Sequence, residues 1–408
     1  MSELKTTIPK GSWVLITGVT GHVASELARQ FLERGYRVRG TARDLAKASW
    51  LVDDVFKEYV NKGYFELTHV PHIDAEGGFD ASVKGVSAIA HVATIGFDPD
   101  PNKVVTPTVA ATVSVLKAAL REPSVKQFVY TSSIVSHTSP FPGNTTHVTP
   151  DTWNDDIGKV AWAPPPYDES RIFPVYMASK TEAERALWKF VADEKPHFQV
   201  NSVSPQTIFG KRLNKNGSSP TAGMIPQLYE GKAADDFLQA SEYLVFSSFS
   251  ARTLIPIQIH YIYLHPHLDP FPTLHSSKST LCHHPSAASC THQKKSNIQP
   301  LPPPKVIVVD VKDVALLHVA AVLDPEVDGE RIQAWGQSCT WNDALAVLRK
   351  LFPNRKFIDD IPGGAKRLDL TTDHARPLAL LKKWGGGQDG WRTLEQTFLD
   401  NLDLEREG

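Results

Sequence analysis

Trp13-Val-Leu-Ile-Thr17 is a short apolar run rich in β-forming residues, and it leads directly into Gly18-Val-Thr-Gly21-His22-Val23-Ala24. Behind it Val23, Leu27, Phe31 and Leu32 recur at helical spacing until Gly35. The apolar period changes from that of a buried strand to that of a helix across a turn held by two glycines. Strand, glycine turn and helix in this order form the opening unit of a dinucleotide-binding fold. Gly18 and Gly21 let backbone approach a pyrophosphate, and Ala24 lets the helix pack on the strand. The helix N-terminus offers free N–H groups and a favourable dipole.

Further strands follow at the spacing such a fold requires. Arg37-Val-Arg-Gly-Thr41 reads as the second, and no carboxylate stands at its tip; Ala42-Arg43-Asp44 follows, with Lys47 expected one turn into a helix. Arg43 and Lys47 can face a 2′-phosphate, which favours NADP(H) over NAD(H). The other reading is that both are surface charges and Asp44 binds a ribose hydroxyl. Phe65-Glu-Leu-Thr-His-Val70 and Ala88-Ile-Ala-His-Val92 read as the third and fourth strands, and Gln127-Phe-Val-Tyr-Thr131 as a fifth that ends in Ser132-Ser133. Hydroxyls thus stand at the carboxyl end of a central strand, where open α/β sheets bind ligands.

Tyr176-Met-Ala-Ser-Lys180 places a phenol and an ammonium on one helix face, with Pro174 near the helix start and Ala183 and Leu187 continuing the stripe. Free Tyr, with a pKa of about 10, is a poor acid-base catalyst at neutral pH. A fixed cation nearby is expected to lower that pKa. A lone Tyr-x-x-x-Lys is equally an amphipathic helix with a solvated lysine, so its weight comes from the surrounding pattern.

The set formed by residues 17–24, His91-Val-Ala93-Thr94, Tyr130-Thr-Ser-Ser133, Tyr176 to Lys180 and Ser204-Pro205-Gln-Thr-Ile-Phe209-Gly210 resembles the extended short-chain dehydrogenase/reductases. Within them it looks like the branch of dihydroflavonol reductases and fungal aldehyde and ketone reductases. The resemblance implies an α/β fold, a Rossmann-type doubly wound parallel sheet with a smaller C-terminal α/β substrate domain. It implies Ser133, Tyr176 and Lys180 as catalytic residues and an NADP(H) cofactor. The implied cofactor contacts are Thr17, Gly18, Gly21, His22, Val23, Arg43, Lys47, Ile73, Ala93, Thr94, Tyr176, Lys180 and Pro205. Where relatives hold the adenine amine with an Asp before an aliphatic residue, this chain has His72-Ile73, with Asp74 beyond. The implied chemistry is hydride transfer to a carbonyl carbon while Tyr176 protonates its oxygen and Ser133 steadies it. Lys180 would tune the phenol and bind the nicotinamide ribose. A fungal secondary-metabolite ketoreductase is the concrete version. A nucleotide-sugar epimerase or dehydratase with bound NAD, clamping a diphosphate through Lys211 and Arg212, shares fold and triad; a non-catalytic dinucleotide-binding protein shares only the fold.

A length of 408 residues and 41% hydrophobic content allow two or three domains with a large core. Formal net charge of -2 gives no basic field, and no nucleic-acid motif or metal site is expected. Three cysteines make no disulfide framework, and residues 1–10 have no apolar stretch, so a cytoplasmic enzyme acting on a small-molecule carbonyl substrate is expected. Residues 1–210 read mainly as the NADP-binding part, and 211–240 as the start of the substrate domain. Residues 305–408 return to the core and complete the substrate domain. Between them, 241–304 lose periodicity to Pro, Ser and His, and read as a disordered insertion, such as intron sequence retained in a gene model. Cys282, His283, His284, Cys290 and His292 fit no zinc-finger spacing, and 243–264 carry too many interruptions to span a membrane. Beyond the insertion a helix is expected over 312–322, a strand over 331–335, a helix capped by Thr340 with Asp343 at its third position, and a last helix over 391–402. Apolar and aromatic residues at 224–228 and 153–167 are candidates for a substrate pocket wall.

Overall fold

Side chains alternate across a strand, and in this chain the alternation sorts apolar residues into two separate cores. The computed structural model describes residues 4–140, 144–214, 221–231, 305–361 and 369–404. Its strands are β1 (Trp13–Ile16), β2 (Arg37–Ala42), β3 (Phe65–His69), β4 (Ala88–His91), β5 (Gln127–Thr131), β6 (His147–Val148), β7 (Gln199–Pro205), β8 (Thr207–Phe209), β9 (Lys305–Asp310), β10 (Arg331–Ala334), β11 (Gln337–Thr340) and β12 (Thr371–Thr372). Val14 and Ile16 of β1, Ala88 and Ala90 of β4 and Val129 of β5 enter one core; Leu15, Ile89, Phe128 and Tyr130 enter the other. Helices His22–Glu33 and Val311–Leu323 cover the first face, and Pro101–Arg121 and Ile172–Glu194 the second.

Seven strands form a sheet in the order β10-β7-β5-β4-β1-β2-β3, and every pairing in it is parallel. The chain runs from β1 outward through β2 and β3, then returns to β4 and runs the other way. The order therefore reverses between β1 and β4, and the crevice at their carboxyl ends is where such sheets bind ligands. This is the expected doubly wound, Rossmann-type fold. β8, β9 and β11 make a three-stranded sheet in which β9 is parallel to β8 and antiparallel to β11. Helices Met224–Tyr229, Trp341–Leu351 and Leu394–Leu402 pack with it through Ile225, Leu228, Trp341, Leu345 and Phe398. Thr340 and Asp343 form the expected capping box. Ile225 and Leu228 are fully buried in this cluster and pack in its core, while Met224 is half-buried against it and Gln227 is exposed.

The described residues lie in one compact unit drawn from Met1–Ser248 and Pro300–Gly408. Residues 241–304, with the cysteines and histidines weighed above, lie outside the described residues. Among the described residues one helix, Pro101–Arg121, is long and apolar enough to cross a membrane by length and composition. Its Val104, Val105, Val115, Leu116, Ala118 and Ala119 are buried against the rest of the molecule, as in a core helix.

Gly40 in β2 lets the glycine turn lie on the sheet. A Cβ there would stand 2.5 Å from Cγ1 of the buried Val19 and 2.8 Å from its Cβ. Gly40→Ala is expected to destabilise the fold by about 1–3 kcal/mol through overpacking. Urea denaturation should show a lower midpoint at unchanged slope; an unchanged midpoint would mean the turn can move aside.

Candidate active site

The crevice side is built by the turn after β1 and the segment after β4. Gly18 adopts a φ of +65°, and a Cβ on it would lie 3.1 Å from Ala93 Cβ, so backbone conformation and contact both call for glycine. Gly21 caps the His22–Glu33 helix without a side-chain hydrogen bond, which leaves its first N–H groups for a ligand. A pyrophosphate fits this arrangement. Thr17 is placed differently from the expectation of a cofactor contact. Its Oγ1 accepts from Val92 N and Ala93 N, each at 3.0 Å, and so donates to His91 Nδ1 at 2.9 Å. Thr17 therefore shapes the β4 segment. His22 donates through Nε2 to Lys211 O at 3.2 Å, and burial lowers its pKa, so this side chain ties the helix to the loop after β8. Val23 packs half-buried on the first core, and Ile73 does so on the second. Thr94 is exposed beside Ala93, and Pro205 is buried at the end of β7.

Arg43 stands exposed immediately after β2, and its carbonyl accepts from His69 Nε2 at 3.2 Å. Lys47 lies in a turn over residues 45–48 and not in a helix. Asp44 Oδ1 accepts the Lys47 N–H at 3.1 Å, and Lys47 Nζ is 3.7 Å from Oδ2. The Lys47 backbone hydrogen bond holds the Asp44 carboxyl below its ordinary value. Asp44 is thus occupied within its own turn.

Ser133 ends the β5 segment, buried, as the N-cap of a 3₁₀ turn over Ile134–Ser136. The helix Ile172–Glu194 brings the Tyr176 phenol beside the Ser133 side chain. The Tyr176 ring lies between Phe97 and Phe173, with centroids at 5.0 and 5.9 Å. Phe97 is 51% exposed, so an aromatic face stands open beside the phenol. Lys180, only 4% exposed, donates through Nζ to Thr131 O at 2.9 Å and lies 5.4 Å from the Tyr130 ring centroid. Burial lowers its pKa to about 8. The expected lowering of Tyr176 is not what this geometry produces: burial pushes the phenol up, the neighbouring Ser133 side chain pulls the other way, and the Lys180 ammonium is directed to Thr131.

Two buried histidines flank Lys180. Burial first, and then the Lys180 charge, lower His91 to about 3. His318 is lowered to about 4 by the same two causes, against a backbone hydrogen bond that raises it. His318 Nδ1 donates to Val314 O at 2.7 Å, so Nε2 accepts from Thr131 Oγ1 at 2.8 Å. Thr131 and His318 thus fix the carbonyl that holds Lys180. Sequence reasoning missed both, as it missed Phe97, Glu184 and Arg331. Only Glu184 carried a local signal, one further turn along the Tyr176 and Lys180 face. Trp153, from the other candidate wall segment, lies under the Arg331 guanidinium at 3.7 Å, and Lys211 Nζ is paired with Asp403 Oδ1 at 2.6 Å.

The family model for the NAD dependent epimerase/dehydratase family matches residues 14–252. The NAD-dependent epimerase/dehydratase terH of Aspergillus terreus is 33% identical over 99% of this chain and 99% of its own length. Aldehyde reductase 2 of Sporidiobolus salmonicolor is 32% identical over 98% of this chain and 97% of its own. The solved structure of yeast methylglyoxal/isovaleraldehyde reductase Gre2 complexed with NADPH shares the fold, with a TM-score of 0.63 and 20% identity over 96% of this chain and 97% of that one. A glycine turn pressed against the β4 segment, a seven-stranded parallel sheet and full-length similarity agree: the chain belongs to the NAD dependent epimerase/dehydratase family.

Proposed function

We propose that this protein is an NADP(H)-dependent carbonyl reductase that converts an aldehyde or ketone to an alcohol, with Tyr176 as proton donor. The observation that carries this reading is the placing of the Tyr176 phenol beside Ser133, one helical turn from a buried Lys180 that donates to Thr131 O, at the carboxyl edge of the sheet. The cofactor, when bound, supplies the hydride. Gly18, Gly21 and Ala93 admit its pyrophosphate and ribose, and Lys180 holds the nicotinamide ribose. Burial favours the protonated phenol, so Tyr176 carries the proton it gives to the carbonyl oxygen. Ser133 directs a second hydrogen bond to that oxygen. Phe97 and Phe173 flank the phenol and favour an apolar or aromatic substituent on the substrate. The sequence similarity to aldehyde reductase 2 supports the reaction class. The smaller sheet and its helices serve as the substrate domain in this reading, in a cytoplasmic enzyme of fungal secondary metabolism.

Nucleotide-sugar epimerase chemistry asks for a basic clamp on a diphosphate, and Lys211 is already paired with Asp403. NADPH oxidation across a panel of aromatic and aliphatic aldehydes and ketones tests the assignment. Consumption with formation of the alcohol supports it; no consumption, together with tightly held NAD in the purified protein, moves it to the epimerases. Arg43 makes the coenzyme choice testable. A charge-assisted contact to the 2′-phosphate contributes about 1.5–3 kcal/mol, so Arg43→Ala should raise KM for NADPH roughly 10- to 100-fold. KM for NADH should stay put; equal effects on both would remove Arg43 from phosphate recognition.

A further inference from the structure

Glu184 has no part in the chemistry proposed above, yet its carboxylate is fully buried and bonded on every side. Oε2 accepts from Ser132 Oγ and Ser136 Oγ, each at 2.6 Å, and Oε1 accepts from Ser202 Oγ at 2.7 Å. Arg331 grips both oxygens, Nε to Oε1 and Nη2 to Oε2, each at 3.0 Å. The Arg331 Nη1 donates to Thr152 O at 3.0 Å and to Pro150 O, so the cation is itself held from the far side.

The placement of these partners is selective. Ser132 and Ser136 belong to the turn that carries Ser133, and Ser136 Oγ lies 2.8 Å from Ser133 O. Glu184 follows Tyr176 and Lys180 at successive four-residue steps on the Ile172–Glu194 helix. One carboxylate therefore bonds the turn that bears Ser133 while being built into the helix that bears Tyr176. A buried ion pair adds little net stability compared with apolar packing. A satisfied polar network does fix one arrangement of the groups that share it.

We propose that Glu184, neutralised by Arg331, is a positioning residue that sets the Ser133 hydroxyl against the Tyr176 phenol; this rests on the carbonyl reductase reading of the site. The same carboxylate bears on Lys180. The charge of Glu184 on its own helix favours the ammonium, while burial opposes it. Among the described residues, His91 from β4 and His318 from the Val311–Leu323 helix, both held neutral by burial, and the Tyr130 ring also face this ammonium. Glu184 in turn faces Arg331, His137, Lys180 and Tyr130.

Paired serine variants of the full chain separate positioning from mere stability. Ser132→Ala with Ser136→Ala removes the bonds to the Ser133 turn, whereas Ser202→Ala removes an equally buried hydroxyl from the same carboxylate on β7. The double variant should lose kcat about tenfold or more, as small misplacements do, with NADPH affinity retained; Ser202→Ala should keep the parent kcat. Glu184→Gln should lower the Lys180 titration midpoint by about half a unit to one unit, followed by NMR of 13Cε-labelled lysine and assigned with Lys180→Met. Equal kcat in the two serine variants, or a Lys180 midpoint that Glu184→Gln leaves in place, would overturn the inference. If the parent protein reduces no carbonyl compound, the functional reading fails by itself, while the Lys180 midpoint still tests the charge coupling of Glu184 to Lys180.

Discussion

Tyr176→Phe is expected to lower kcat for carbonyl reduction by about 10²–10⁴-fold, the usual contribution of a positioned proton donor. NADPH should bind as before. The ring lies between Phe97 and Phe173, so a phenylalanine fills the same volume and leaves no cavity. Only the hydroxyl beside Ser133 disappears. Ser133 can still polarise the carbonyl, which is why some turnover should survive. Steady-state kinetics with a fluorescence titration of NADPH checks both parts. A variant that keeps its kcat would remove Tyr176 from proton transfer, and one that no longer binds NADPH would make it a cofactor ligand first.

Lys180→Met should separate activity from stability in the opposite sense to most buried substitutions. Burial holds the Lys180 pKa at about 8, well below its ordinary 10.5. The unfolded chain therefore binds more protons than the folded one between those two values, and the lysine costs stability at pH 7. This cost is relieved as pH rises from about 8 to 10.5. Methionine carries no such charge, so the variant should be more stable at pH 7 by roughly 1–3 kcal/mol, less the lost bond to Thr131 O. Its kcat should fall and its KM for NADPH rise. In the parent enzyme the alkaline limb of the kcat profile should have its midpoint near 8, where the ammonium is lost. A stability profile between pH 8 and 11 that is the same in both proteins would contradict the buried cation.

The parts of this site legible in the sequence are those encoded within a turn or two of chain. The β1 strand, Gly18, Gly21 and the helix behind them announce themselves by a change of period, and Tyr176 with Lys180 by helical spacing. The capping box at Thr340 and Asp343 is equally local. The role of the Thr17 hydroxyl is not legible in sequence, because a hydroxyl serves a ligand or backbone N–H groups equally well, and in the fold it accepts the Val92 and Ala93 N–H groups. Asp44 and Lys47 read in sequence as groups for different parts of a cofactor, whereas in the fold they close a single turn. His318 reaches Thr131 across 187 residues and Arg331 reaches Glu184 across 147, so no window of sequence holds either pair. Apolar residues at 224–228 read the same whether they line a pocket or fill a core.

The most direct test uses NADPH deuterated on the transferring face of the nicotinamide C4, an aromatic ketone or aldehyde, and mass spectrometry of the product. One deuterium on the carbinol carbon with the parent protein, and a product yield cut by orders of magnitude with Tyr176→Phe, is the predicted result. Product without deuterium, or an undiminished yield from Tyr176→Phe, would contradict the account.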